Sequence, residues 1–549
     1  MIGLSRRRLL MGAGALGAWS TLKPPLSAAA DAGRPVLSGS HFDLEVSEVP
    51  FTVGGRTVTA VGINGQSPAP ILRWREGDTV TIAVTNRLKV PTSLHWHGIR
   101  VPSAMDGVPG LSFGGIPPGQ TFTYRFEVKQ SGTYWYHAHS AFQEQTGLYG
   151  PIVIEPAEGF AEQFDRDYVV MLADWSPEDP ADILGNLKFQ SDYYNYGRRT
   201  AGTFLDDAKH HGLEATVSDR LEWGGMRMAP TDILDVSGAA YSFLINGVPS
   251  QDNWTALFNP GERVRLRVIN AASMTIFDLR IPDLPMSVVQ ADGNAVEPVT
   301  VDQIRIAPAE TYDVIVEPKD DRPYTLFAQA EDRSGYVRAT LSPRLGLEGA
   351  IPPMDPRPLR TMADMGMAGM SLSEMSHMAR DPAAPKAGGV EVDNVAMMAQ
   401  SRLDEPGDAP EGRRVLTYAD LRARKPGTDP REPSREVTLH LTGNMERFIW
   451  GFDGKKFTEA GPVELEQGER VRVTLVNDTM MEHPLHLHGL WSELDNGHDE
   501  FRPYKHTINV KPGERLSFLV TADEPGRWAF HCHLLFHMAT GMFREVRVS

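Results

Sequence analysis

One pattern recurs three times in this 549-residue chain. Gly77-Asp78-Thr79-Val80-Thr81-Ile82-Ala83-Val84-Thr85-Asn86 is matched by Gly261-Glu262-Arg263-Val264-Arg265-Leu266-Arg267-Val268-Ile269-Asn270 and by Gly468-Glu469-Arg470-Val471-Arg472-Val473-Thr474-Leu475-Val476-Asn477. Each copy is a glycine turn followed by a run of period two, which suits a strand with one buried face and cannot be a helix. Three copies call for three similar β units. The rest of the chain agrees: short Val/Ile/Thr-rich runs lie between turns supplied by 51 Gly and 41 Pro, and helical periodicity is sparse. That reads as β-sandwich, and at roughly 150 residues per domain the length has room for three or four domains. The boundaries expected are 36–160, 161–345 and 431–549, with residues 176–230 as a long loop and 346–430 as a Pro-, Ala-, Gly- and Met-rich insert.

A second repeat carries histidines. His95 stands 18 residues after Gly77, and His486 stands 18 after Gly468. His137 stands 18 after Gly119, and His531 stands 18 after Gly513. Each begins a His-x-His pair: His95/His97, His137/His139, His486/His488 and His531/His533. Side chains alternate across a strand, so each pair presents two imidazoles on one face. The middle copy has Leu279 and Ile281 instead, which predicts a ligand-free spacer and wall.

Cys532 is the only cysteine, so it has no intramolecular disulfide partner. It lies between His531 and His533 and points to the opposite face of the strand. One short strand can then serve two metal sites joined by its own backbone. His537 and Met542 follow the cysteine at +5 and +10, and thiolate, imidazoles and a weak axial thioether make up the ligand set of a blue copper site. Eight further imidazoles suffice for about three more copper ions.

At these motifs the chain resembles the multicopper oxidases, in particular their bacterial copper-resistance, cuprous oxidase-like branch. The resemblance implies an all-β fold of three cupredoxin-like Greek-key β-sandwich domains, with the Met-rich insert between domains 2 and 3. It implies four copper ions: a type 1 copper on His483, Cys532, His537 and axial Met542; a type 2 copper on His95 and His486; and two type 3 coppers, one on His97, His137 and His533, the other on His139, His488 and His531. Dioxygen is the implied oxidant. Asp106, soon after the first histidine pair, resembles the family's acidic residue there and is a candidate proton relay, with a plain turn role before Gly107 as the alternative. Glu144 is a second candidate. Where some relatives carry an acid after the second type 1 histidine, this chain has Met538.

The substrate is read from sulfur. Met480-Met481-Glu482 runs into His483, and Met481 is a candidate electron entry from Cu(I), with interface packing as the alternative; Asp478 or Glu482 would favour departure of the harder Cu(II). Met362, Met365, Met367, Met370, Met375 and Met378 with His377 form a thioether-rich run that suits Cu(I), or packs as an amphipathic helix. Cu(I) oxidation in copper detoxification is the leading reading. A laccase-like oxidase of small phenolic substrates and a periplasmic copper-sequestering protein are the alternatives. A formal charge of -17 argues against nucleic acid. Arg6-Arg7-Arg8, a short apolar stretch and Ala28-Ala29-Ala30 predict a twin-arginine-type signal over 1–30, export to the periplasm without a membrane span, and a periplasmic copper carrier as a further partner.

Overall fold

The structure is a computed structural model that describes residues 34–195, 197–366 and 385–549. The expected signal segment and the methionine run from Met367 onward, with His377, lie outside these residues. Six sheets form three two-sheet sandwiches, the all-β cupredoxin-like architecture expected. Among the described residues no helix is long and apolar enough to cross a membrane.

The repeat glycines and asparagines do equivalent work in each sandwich. Gly77, Gly261 and Gly468 sit at φ of 89°, 86° and 81°, where a side chain is strained. Their amides donate to Val128, Pro318 and Ala522 carbonyls, each at 2.8 Å. At the far end, Asn86, Asn270 and Asn477 are fully buried. Each donates its amide to two carbonyls: Val90 and Ile116, Thr275 and Ile306, Met481 and Val510. Each accepts the backbone N–H two residues on. The asparagine thus fixes the loop leading toward the ligand strand of its sandwich.

That equivalence extends to strand pairing. In the first sandwich His95–His97 lies antiparallel to Gly132–His137, with His95 opposite His137. In the third, His483–Leu487 lies antiparallel to Gly526–Cys532, with His486 opposite His531. In the second, Phe277–Arg280 lies beside Tyr324–Ala330, and Leu279 faces Ala328.

The surroundings differ. The second and third sandwiches share one continuous apolar core, while the first has its own, joined to the second through a separate cluster around Trp135, Val153 and Val169. The second sandwich's repeat strand, Val264–Asn270, is buried on both faces. Its Arg265 and Arg267 are matched by Asp313, Asp167 and Thr133. Removing one partner would strand a buried charge.

Residues 176–230 differ from the loop expected. They contain helices Pro180–Phe189, Ala201–His211 and Leu213–Gly225. Local capping starts them: Asp179 accepts from the Ala181 amide ahead of Pro180, and Thr200 and Thr203 form a reciprocal box. The second helix buries no residue and the third only Thr216 and Trp223, so no apolar stripe marks them in the sequence. The insert, in its described parts, packs across both neighbours: Val415 bridges Gln303, Ala423 bridges Val296, and Gln400 bridges Glu514.

Candidate metal centres

The two ligand-strand pairs converge where the first sandwich meets the third. All eight histidines of the four His-x-His pairs come together there, His139 half-buried and the others buried. His97 stacks on His486 at 3.7 Å between ring centres, and His95 lies 4.0 Å from His488.

Hydrogen bonds set the rings' orientation. Carbonyl and carboxylate oxygens only accept, so a ring nitrogen facing one carries the hydrogen. By this rule Nδ1 of His95 donates to Asp106 O at 2.8 Å, and Nδ1 of His137 donates to Glu144 Oε2 at 2.7 Å. Nδ1 of His486 donates to His506 O, that of His488 to Asp106 Oδ2 at 2.9 Å, and that of His531 to Cys532 O at 3.0 Å. Their Nε2 lone pairs therefore point inward. Four such atoms meet in pairs: His95 and His486 at 3.4 Å, and His488 and His531 at 3.0 Å. Two lone pairs this close repel unless a cation lies between them. Further in, His97 Nδ1, His137 Nε2 and His533 Nε2 are buried with no partner at all. These three belong to one expected type 3 site, and a metal ion would satisfy them. Desolvation and neighbouring imidazoles push His97, His137, His139, His486, His488 and His533 well below the usual histidine range and His531 to about 3, which keeps lone pairs available near neutral pH.

Asp106 is both a turn residue and a contact of two cluster histidines. Its backbone closes the turn over Ser103–Met105, and its carboxylate lies between His488 Nδ1 and His95 Nδ1, the latter at 3.3 Å. Glu144 grips His137 and reaches toward His533 Nδ1 at 3.8 Å. Burial, then repulsion from Asp174, raises its carboxyl well above the usual range.

The second centre lies within the third sandwich. Cys532 Sγ is 3.6 Å from His483 Nδ1 and 3.9 Å from His537 Nδ1, and the two nitrogens are 3.2 Å apart. A point equidistant from the three donors lies about 2.1 Å from each, within the ~2.0–2.3 Å range of first-row metal bonds to nitrogen and sulfur. The buried Met542 exchanges backbone hydrogen bonds with Cys532 and His537. Burial pushes the Cys532 thiol up, so its thiolate needs an accompanying cation.

Each imidazole here is held from behind. His483 Nε2 meets Thr479 Oγ1 at 2.7 Å. His537 Nε2 meets Asp235 Oδ2 at 2.8 Å, and Trp450 stacks on the same ring at 3.9 Å. Burial raises Asp235 to about 7. Met480 and Met481 are buried in the core that holds Cys532 and Met542. The carboxylates suggested for Cu(II) departure are both committed elsewhere. Asp478 takes His440 Nδ1 at 2.7 Å and the Ala396 amide at 2.9 Å. Glu482 binds Arg305 at 3.0 Å and accepts from Asn509; against desolvation, Arg305 and Arg360 hold it down to about 2.

Sequence reading missed Asp235, Thr479, His506 and Asp292. Each is a lone residue without a repeat or a His-x-His partner, and its site contacts reach far along the chain, except for Thr479, whose hydroxyl lies four residues before its ring partner.

Fold and site together define a copper-dependent oxidase. The multicopper oxidase family matches residues 45–159, 166–343 and 430–549, and the chain belongs to that family. It is an oxidoreductase of the family's copper-resistance branch. It is 51% identical to a copper resistance protein A homolog of Pseudomonas syringae pv. tomato, covering 100% of this chain and 98% of that protein. It is 49% identical to copper resistance protein A of Escherichia coli, covering 100% of both. Among solved structures it resembles Fet3p, a multicopper oxidase that functions in iron import, with a TM-score of 0.67 and 20% identity over 93% of this chain and 91% of that one.

Proposed function

We propose that the chain is a cuprous oxidase acting in copper detoxification. Four Cu(I), one dioxygen and four protons yield four Cu(II) and two waters. The full-length likeness to copper resistance protein A carries this reading, together with the run Met480-Met481-Glu482 that leads into His483. We assign a type 1 copper to His483, Cys532, His537 and Met542, a type 2 copper to His95 and His486, and two type 3 coppers to His97, His137 and His533 and to His139, His488 and His531. The resident coppers supply one-electron acceptance at the thiolate and electron storage for dioxygen at the histidine cluster.

The chain's own residues do the rest. Cys532 sits one residue from both His531 and His533, so the two centres are linked through continuous backbone. Asp235 and Thr479 lock the tautomers of His537 and His483 and leave both Nδ1 lone pairs for the metal. Asp106 touches rings assigned to the type 2 and to a type 3 copper, the place where protons are consumed, and acts there as proton relay with Glu144 as a second acid. Met481, two residues before His483 and buried in the same core as Cys532 and Met542, is the soft thioether we assign to electron entry from Cu(I). The N-terminal arginines and the small-residue site support export to the periplasm, where a copper carrier would deliver substrate.

Dioxygen uptake driven by Cu(I), corrected for autoxidation and compared with uptake driven by a small phenol, tests this. Fast uptake with Cu(I) supports it. Fast uptake with phenol alone makes the protein laccase-like, and tight Cu(I) binding without uptake makes it a sequestering protein.

A further inference from the structure

We propose that His506 is a positioning residue for the histidine cluster: its ring fixes the tautomer of His97, and its main chain fixes His486. The inference rests on the assignment of His97 and His486 as copper ligands. His506 belongs to no His-x-His pair, yet it is buried, with its ring 4.7 Å from that of His97.

Three polar atoms close a triangle. His97 Nε2 lies 3.2 Å from His506 Nδ1 and 3.1 Å from Thr507 Oγ1, and those two lie 3.1 Å apart. For His97 to offer Nδ1 to a metal, its hydrogen must sit on Nε2. That N–H then donates to His506 Nδ1 directly, or to the Thr507 hydroxyl, whose own hydrogen passes on to His506 Nδ1. Both arrangements need Nδ1 of His506 as an acceptor. With hydrogen on that atom instead, two N–H groups would face each other. The hydroxyl of Thr507, fully buried, would also lose its acceptor, which is costly. His97 Nδ1 is buried and unpartnered, as the scheme requires; the hydrogen of His506 then sits on its Nε2, which is also buried without a protein partner, in a ring that lines a small cavity with Gly98 and Trp491.

The main chain adds a second hold, because His506 O accepts from His486 Nδ1. The backbone that carries the ring is anchored to Asp292, while the ring's Nδ1 stays 3.6 Å from that carboxylate, beyond hydrogen-bond distance. The amides of His506 and Thr507 both donate to Asp292 Oδ2 of the second sandwich, at 3.0 and 3.1 Å, and Lys505 Nζ neutralises that carboxylate at 3.1 Å. A Cβ on Gly98 would fall 2.3 Å from the His506 ring, so glycine directly after His97 makes room for it. Partners of metal ligands typically contribute about 10–100-fold in affinity or activity.

The test uses the full chain loaded with copper. Copper per chain is measured after dialysis against a graded series of chelator concentrations, and the blue absorbance of the type 1 site is read on the same samples. His506→Leu should keep the blue band and release cluster copper at about 10–100-fold lower chelator strength. His506→Asn, whose Oδ1 accepts near the place of Nδ1, should recover most of the retention. Three results overturn the proposal: wild-type retention in His506→Leu, loss of the blue band in step with cluster copper, or an Asn variant no better than Leu. His97→Ala separates the two layers. If it too retains copper like wild type, the ligand assignment has failed; if it loses copper while His506→Leu does not, only the role of His506 has failed.

Discussion

Eighteen residues past its repeat glycine, the first sandwich has His95 and the second has Leu279. The frames around these two positions match. Both glycines hold nearly the same φ, both asparagines clamp two carbonyls, and both positions lie opposite an antiparallel neighbouring strand. His95 faces His137 across its strand pair, whereas Leu279 faces Ala328. Scaffold and ligand are therefore separable in this fold. Turn glycine, period-two strand and closing asparagine build the sandwich, and a few side chains decide whether it binds metal. The second sandwich also serves the sites, because it sends Asp235 to His537 and Asp292 to the backbone beneath His506.

The sharpest way to break the contrast is to remove the chemistry and keep the frame. Cys532→Ser should give a folded protein without blue colour and with oxidase turnover below detection, read by absorbance and dioxygen uptake with circular dichroism as the control. A blue variant would contradict the thiolate assignment. Asp106→Asn should come next, slowing dioxygen reduction about 10–100-fold while type 1 reduction, followed by stopped-flow bleaching, stays fast. Unchanged steady-state turnover would leave Asp106 as a turn residue only.

A paired measurement then compares the clamps. Asn270→Ala and Asn477→Ala each remove hydrogen bonds to buried carbonyls and should lower stability by about 2–4 kcal/mol, read by denaturant unfolding. Only Asn477→Ala should also shift the blue band, because Asn477 Oδ1 accepts from Thr479, which holds His483. A shift in both variants would mean that the frame and the site are not separable. The smallest effect is expected from Leu279→His. It places an imidazole in a buried apolar site and lowers stability, yet copper per chain should not rise, since the residue opposite is Ala328.

The sequence made the frame and the ligand strands legible because both are written locally. A turn glycine, alternation and a His-x-His pair each fit within ten residues. The helices between Pro180 and Gly225 were not legible, because capping starts them and no buried stripe repeats along them. Asp235 and His506 reach their partners across 302 and 409 residues, so nothing near them in sequence marks their role. For Asp106 the sequence left a turn and a proton relay equally open. The geometry adds contacts to His488 and His95 without removing the turn.

We assign copper to the third sandwich and to its junction with the first, and none to the second. X-ray diffraction at the copper absorption edge, on crystals of the copper-loaded protein, tests it directly. One anomalous peak is expected among His483, Cys532 and His537, three among the eight histidines between the first and third sandwiches, and none within the second. A peak within the second sandwich, or an empty histidine cluster beside an occupied Cys532 site, would contradict it.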